Sequence, residues 1–563
     1  MSAELGRTRP GSAAFARLNA LDVSALLLAL LLEIPLFSVC LSLFAGASAT
    51  VAHLAATVLP DYVFNTLALG ALVVVGVLIV GVPAAWMTAM CDFPGKRLLE
   101  AALVLPLSAP AYVLAYAYTD LLDSYGPVQN ALRATFGWQV GEYWFPDIRS
   151  LPGAALMLVL VLYPYVYLLA RARFLTESAT ALEAARLLGR GPWHSFLTVS
   201  LPLARPALAA GATLALMEAF ADYGTVSYFG VPVFTTGIYR AWFSFGDPTA
   251  AAQLAAFLIG FVALALSLES FARGGARYHE TGRRDRRPTE FKLPPAKAAG
   301  AIVLCALPPL FGFIVPALAM LHLLIQAGGP SREFWHHLMN SVTLAALAGA
   351  IATGVAIVLG FARHERPRGP VARAVDFVGL GYAAPGAVIA VGVLIPFAAF
   401  DNALDAAMRS HLGVSTGLLL TGSIAALLFA YLVRFLAVAL QSVNAGLARI
   451  TPSVGGAARM LARGNWDALW RVHLPMIAPS ALTAALIVFV DVMKELPATL
   501  MLRPFNFDTL AVAANNYAAD ERLGFAAAPA LAIVAVGIIP CILLIRGIAS
   551  AAHGRDVTPA PLP

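Results

Sequence analysis

The chain has 563 residues, 60% hydrophobic and only 12% charged, with a mean hydropathy of +0.79. Soluble domains carry roughly a quarter of their residues as charged side chains, so this composition excludes a soluble globular protein and marks an integral membrane protein. The net charge of +6 needs no nucleic-acid partner, because the cytoplasmic loops of membrane proteins are enriched in Lys and Arg.

A transmembrane helix needs about 20 mostly apolar residues. Twelve such runs lie at 22–45, 65–90, 99–121, 151–171, 206–228, 251–272, 298–326, 340–362, 374–400, 415–440, 479–501 and 525–547. They predict an all-α protein spanning the lipid bilayer. The first run follows three arginines, contains Glu33 and Pro35 and lacks a clear small-residue cleavage site, so it reads as an anchor rather than a cleaved signal peptide. With the N-terminus inside, most of the 37 Lys and Arg residues fall on inner segments, which predicts that both termini are cytoplasmic. Cys40, Cys91, Cys305 and Cys541 are scattered without CxxC spacing and read as packing residues.

The stretch "EAARLLGRGPWHSFLTVSLPLARP", residues 183–206, returns 273 residues later as "GAARMLARGNWDALWRVHLPMIAP", residues 456–479, with eleven of 24 positions identical. A similar offset aligns "FNTLALGALVVVGV" from Phe64 with "MNSVTLAALAGAIA" from Met339. Two six-helix repeats are therefore fused. The expected organisation is a tail at 1–21, a first repeat at 22–272, a linker at 273–297, a second repeat at 298–547 and a tail at 548–563. An even number of spans per repeat inserts both halves with the same orientation, related by an axis along the membrane normal. The linker holds eight basic residues and three prolines; it suits anionic-lipid binding or simply obeys the positive-inside bias.

Within the quoted stretch, Ser178 or Thr180 is a candidate N-cap for a short helix that stops at Gly189. A second short helix is expected from Pro192 to Leu201-Pro202. Such a hairpin between two spans forms a knob on the cytoplasmic face. The pattern Glu183-Ala184-Ala185-Arg186, Gly189, Gly191, then Val199-x-Leu201-Pro202 and Pro206 resembles the EAA loop of ATP-binding-cassette importer permeases, here spanning 176–206. In the second copy, at 449–479, the loop holds Gly456, Ala457, Ala458, Arg459, Gly464 and Pro475, with Gly456 where the glutamate stands and Ala462 where the glycine stands. The resemblance implies that each loop docks on one copy of a separate cytoplasmic ATPase, and the departures imply asymmetric coupling. No GxxxxGK[ST] phosphate loop, HExxH or GxSxG arrangement occurs. The chain is thus expected not to be an enzyme and to bind no cofactor of its own, with ATP and Mg used by the partner ATPase.

Ionisable residues inside a membrane are costly and suggest a functional site by default. In "PALAAGATLALMEAFADYGTVSYFG", residues 206–230, Glu218 and Asp222 stand four apart and share a helix face, about 18 and 24 Å from the inner end at 1.5 Å per residue. The 273-residue offset carries them to Asp491 and Glu495. Four carboxylates at matched positions are candidate linings for one substrate path. Hard oxygen ligands suit a highly charged hard cation and disfavour sulfate, phosphate or molybdate. The alternative is structural: these acids cap kinked helix ends or pair with Lys494, Arg503 and Arg240. His336 and His337 beside Trp335, and Tyr223 and Tyr228, read as interfacial residues rather than metal ligands, and no metal site is assigned.

The segments "ADYGTVSYFGVPVFTTGIYRAWFSFGDPTAAAQLA", 221–255, and "KELPATLMLRPFNFDTLAVAANNYAADERL", 494–523, resemble those of two-domain iron(III) importer permeases. That resemblance implies a multi-pass permease of the bacterial inner membrane, two ATPase copies, and a periplasmic ferric-ion-binding protein meeting loops near 229–250 and 502–524. Thiamine and polyamines are the alternative cargoes, and a gradient-driven secondary transporter the alternative class; paired ATPase-docking knobs argue against the latter. The asymmetry makes a prediction: Glu183→Ala lowers permease-stimulated ATP hydrolysis several-fold, while Gly456→Ala leaves it near wild type. Equal, negligible effects in the reconstituted complex would remove the idea.

Overall fold

The computed structural model describes residues 19–46, 48–176, 192–273, 291–461 and 464–553. Among these, 11 helices are long and apolar enough to cross a membrane, and one bent pair brings the total to 12. The principal helices are α1 (Ala20–Leu41), α2 (Leu59–Met90), α3 (Ala111–Leu122), α4 (Leu151–Thr176), α5 (Leu201–Ala221) and α6 (Pro248–Arg273) in the first half. The second half has α7 (Pro295–Pro309, continued by a π-turn into Val315–Gln326), α8 (Phe334–Glu365), α9 (Gly386–Leu412), α10 (Ile424–Leu447), α11 (Leu474–Met493) and α12 (Leu523–His553). The only strand pairing among the described residues is a parallel match of Cys91–Asp92 with Phe291–Lys292.

Two expected spans are not straight. The run at 99–121 is a pair, Lys96–Ser108 and Ala111–Phe136, bent by 94°. Its counterpart at 374–400 divides into Pro370–Val378, a 3-10 turn Gly379–Ala383, and α9. The cause is the same in both halves. A residue before proline is driven out of the helical region, and Ala109 before Pro110 and Ala384 before Pro385 are extended, with ψ of 128° in each. The next span begins at Ile424 rather than 415. α9 runs on to Leu412 and stops at Gly413, whose left-handed φ of 68° closes the helix on the Arg409 carbonyl. The Asp405 carboxylate then accepts the N–H groups of Thr416 and Gly417, and Asp401 those of Leu420 and Thr421, fixing a loop there.

The short helix expected to end at Leu201-Pro202 instead continues into the membrane. Pro192–Ser195 passes through a π-turn, Phe196–Ser200, into α5, and Asn465–Ala468 passes through Leu469–His473 into α11. The Leu201 N–H reaches the Phe196 carbonyl and the Leu474 N–H reaches Leu469, each five residues back. Pro202 and Pro475 lack an N–H for the usual partner four back, and the wider turn carries the helix past them. Glu183, Ala184, Ala185, Arg186, Gly189 and Gly191, together with Ser178, Thr180 and Ala462, lie outside the described residues. In the second loop Gly456 and Ala457 fall on a helix Pro452–Leu461, and Gly464 precedes Asn465–Ala468.

The repeat persists down to single hydrogen bonds. Asn65 donates its amide to the Pro232 carbonyl at 3.0 Å, and Asn340 to that of Asp508 at 3.1 Å. One residue on, the Thr66 hydroxyl accepts the Phe234 N–H at 3.2 Å and Ser341 that of Leu510 at 2.7 Å. The halves also exchange elements. α1 packs on α9 and Pro370–Val378 of the second half, while α7 packs on α2 and Lys96–Ala102 of the first. Asp22, 1% exposed, ties α1 to Arg366 at 2.8 Å. α1 and α9 touch backbone to backbone: a Cβ at Gly392 would run into the Pro35 carbonyl, whereas one at Gly354 meets nothing within 4 Å. Gly392→Ala is therefore expected to cost about 1–3 kcal/mol by overpacking. Gly354→Ala stays neutral or gains up to ~1 kcal/mol of helix propensity. Thermal unfolding of the two variants in detergent checks the ranking.

Candidate functional site

The helices α5 and α11 both stop inside the bundle, and each stop needs acceptors for the helix that restarts beyond it. A short helix Gly224–Tyr228 follows α5, and Pro497–Leu502 follows α11. Where no water reaches, the first N–H groups of a helix must find partners within the protein. Asp222 accepts the N–H groups of Thr225 and Val226, both at 3.1 Å, and the Thr225 hydroxyl at 3.0 Å. Glu495 accepts those of Ala498 at 2.9 Å and Thr499 at 3.1 Å, and the Thr499 hydroxyl at 2.7 Å. Two of the four candidate acids thus serve as caps, as the structural alternative anticipates.

All four acids nonetheless line one cavity of about 150 Å³ at the seam between the halves. Glu218 reaches across it, accepting the Tyr382 hydroxyl at 3.0 Å. Asp491 stays on its own helix, 3.0 Å from the Lys494 ammonium one turn away. Tyr112 donates to the Lys494 carbonyl at 3.4 Å, and Tyr239 donates to that of Pro497, so first-half phenols hold the break in α11. The first of these short helices begins in a tight spot: a Cβ on Gly224 would lie 2.8 Å from Tyr112 and 2.9 Å from Leu496.

Arg434, at mid-height of α10, also lines the cavity. Its Nε and Nη1 are buried without a hydrogen-bond partner among the described residues, and its guanidinium lies 5.6 Å from the Phe435 ring. A Cβ at Gly386 would stand 2.7 Å from Arg434 Nη1 and 2.6 Å from Glu495 Oε1; only a glycine leaves that corner open for both groups. At the 273-residue offset, Arg434 matches Val161 and Lys494 matches Ala221, and all four line the cavity. The second half therefore supplies both cations. The cavity thus holds four carboxylates and two fixed cations rather than acids alone.

Other expected partners lie elsewhere. Arg503 pairs with Asp508, and Arg240 lies 3.5 Å from the Tyr62 hydroxyl. Tyr223 stacks on Tyr239 at 3.8 Å, and Tyr228 packs on Tyr116 at 4.8 Å beneath Arg149. His337 is buried at the start of α8, and no group of three or more His, Cys, Asp and Glu suited to a metal ion occurs among the described residues. Arg434, Tyr382, Tyr112 and Tyr165 are polar cavity residues that sequence reading missed, and Tyr223, read as interfacial, lines the cavity as well. Arg434 left a signal, as a lone arginine within "LLFAYLVRFLAVAL", residues 427–440. The tyrosines left none, because phenols are common throughout this chain.

The caps make a graded prediction. Asn replaces Asp at an N-cap with little loss, whereas Ala costs about 0.5–2 kcal/mol. Asp222→Ala is thus expected to lower the thermal midpoint of the detergent-solubilised chain more than Asp222→Asn, and Glu495→Ala more than Glu495→Gln. Equal midpoints for the Ala and amide variants would argue against a capping role.

Comparison with known proteins accords with this architecture. The family described as binding-protein-dependent transport system inner membrane component matches residues 79–273. The chain is 26% identical to the Fe(3+)-transport system permease protein FbpB 2 of Haemophilus influenzae over 496 residues, 85% of this chain and 88% of that protein. It is 28% identical to the molybdenum transport system permease protein ModB of Escherichia coli over 197 residues, 34% of this chain and 83% of that protein. With the sulfate transport system permease protein CysW of Escherichia coli it shares 31% over 150 residues, 27% of this chain and 49% of that protein. With its helices repeated and fused, the chain belongs to the inner-membrane permeases of binding-protein-dependent transport, as a two-domain member of that family.

Proposed function

We propose that this permease imports ferric iron by alternating access, with the cavity between its halves as the ion path. The observation that carries the reading is the convergence of Glu218, Asp222, Asp491 and Glu495, from equivalent helices of two repeats, on one cavity. Four carboxylates against two cations leave an excess of negative charge, which favours a cationic cargo. The likeness to an Fe(3+)-transport permease along both repeats supports iron in particular.

In this reading each coupling loop, 176–206 and 449–479, meets one of two ATPase copies. ATP-driven closure brings the loops together, and the continuous helices behind Pro202 and Pro475 carry the movement to α5 and α11. The loops near 229–250 and 502–524 receive the ion from a periplasmic binding protein, both termini face the cytoplasm, and the repeats divide at the 273–297 linker. Glu218 and Asp491 are the acids left to meet the ion, since Asp222 and Glu495 hold the caps.

A second reading, an oxyanion cargo, is favoured by the molybdenum and sulfate permeases among the relatives and by the unpartnered nitrogens of Arg434. The excess of carboxylates weighs against it. The deciding experiment is ATP-dependent uptake of labelled ferric iron, molybdate, sulfate, thiamine and a polyamine into proteoliposomes holding the chain, its ATPase and its binding protein. Iron is the expected cargo, and Glu218→Gln with Asp491→Asn should cut its uptake by about ten-fold, the equivalent of ~1.4 kcal/mol. Uptake of an oxyanion instead of iron would overturn the reading.

A further inference from the structure

The acids of the cavity are held in three different ways, and the difference singles out one residue. Asp222 and Glu495 are engaged by backbone N–H groups and a threonine hydroxyl each. Glu218 is met by a neutral phenol, Tyr382. Asp491 alone is paired with a cation carried on its own helix, Lys494 at 3.0 Å. The first half has no such cation, because Ala221 stands at the matched position.

We propose that Lys494 is a specificity-determining residue: a tethered cation that occupies the Asp491 carboxylate when the path is empty and that only a cargo of higher charge displaces. The proposal rests on the cation-path reading above. The physical argument is a competition. Lys494 is held one helical turn from Asp491, so its ammonium is present at a very high effective concentration. A monovalent ion offers the carboxylate no greater charge and cannot match that concentration from solution. Attraction grows with the product of the charges, so a trivalent ion gains several-fold over the ammonium at Asp491. It gains again at Glu218, which needs only to give up a neutral hydrogen bond. The flexible four-carbon stem of lysine lets the displaced ammonium swing aside within the cavity of about 150 Å³ that it lines. Divalent ions fall between these limits, so their exclusion depends directly on the lysine charge.

The test uses the full chain in lipid nanodiscs with terbium(III), a hard trivalent ion whose luminescence is excited by energy transfer from nearby tyrosines. Tyr112, Tyr165 and Tyr382 line the cavity and serve as donors. In the wild type, a terbium signal that disappears in Glu218→Gln with Asp491→Asn is expected to resist competition by calcium. In Lys494→Met and Lys494→Gln, calcium should displace terbium at concentrations at least about ten-fold lower, while Lys494→Arg, which keeps the charge, should behave as wild type. Two neutral variants are used in case one fails to assemble. A purely structural role for Lys494 would alter the amount of folded protein but not the calcium-to-terbium ratio. If the cavity-dependent signal is present and the neutral variants show wild-type competition, the proposal is overturned and the cation path stands. A signal unaffected by the loss of Glu218 and Asp491 overturns the cation path, and this proposal with it.

Discussion

A helix that ends inside a bilayer must find acceptors for the N–H groups of the helix that follows, since no water is there to meet them. This constraint is met twice, at the breaks after α5 and α11, and the rest of the site depends on how it is met. Asp222 and Glu495 each accept two backbone N–H groups and a threonine hydroxyl. With those bonds in place the chain turns at mid-bundle, Gly224 packs against Tyr112 and Leu496, and residues from both breaks line one cavity. A pair of uninterrupted helices would fill that space with their own side chains.

The same constraint explains why the seam between the halves is rich in tyrosine. A phenol combines a large apolar body with one donor at its tip, which suits a contact that lies among hydrocarbon and must still satisfy a carbonyl or carboxylate. Tyr112 and Tyr239 reach from the first half to carbonyls exposed by the break in α11, Tyr116 reaches Asn515 at 3.3 Å, and Tyr382 returns the contact from the second half to Glu218. These bonds are neutral or carry one charge, so exchanging them separates no ion pair. Around the cavity, contacts of this kind open and reclose more readily than a buried salt bridge such as Asp22–Arg366, whose separation leaves uncompensated charge.

Symmetry in the backbone coexists with asymmetry in the charge. The paired prolines, the π-turns before Pro202 and Pro475, and the matched anchors at Asn65 and Asn340 keep the two halves superposable at the level of hydrogen bonds. Arg434 and Lys494 have only Val161 and Ala221 as counterparts. The second half thus holds the fixed positive charge of the cavity, while the first half retains the complete EAA sequence in its loop. The exchange of α1 and α7 between the halves binds these unlike parts into one body.

The sequence by itself determined the class, the membrane helices and the repeat, because apolar length and an offset of identities are local properties of the chain. It also put Glu218, Asp222, Asp491 and Glu495 at equivalent heights, since helical rise is fixed by covalent geometry. The pre-proline breaks at Ala109 and Ala384 were legible in principle, yet the run of apolar residues across each concealed them. Only the tertiary structure decided which of the four cavity acids became caps and which met a phenol or an ammonium instead, because that depends on where the chain turns after each break. It alone brought Tyr382 to Glu218, 164 residues away, and set Arg434 beside Glu495 at Gly386. Contacts over such separations follow from how the helices of two halves cross, and no spacing within either helix records that crossing.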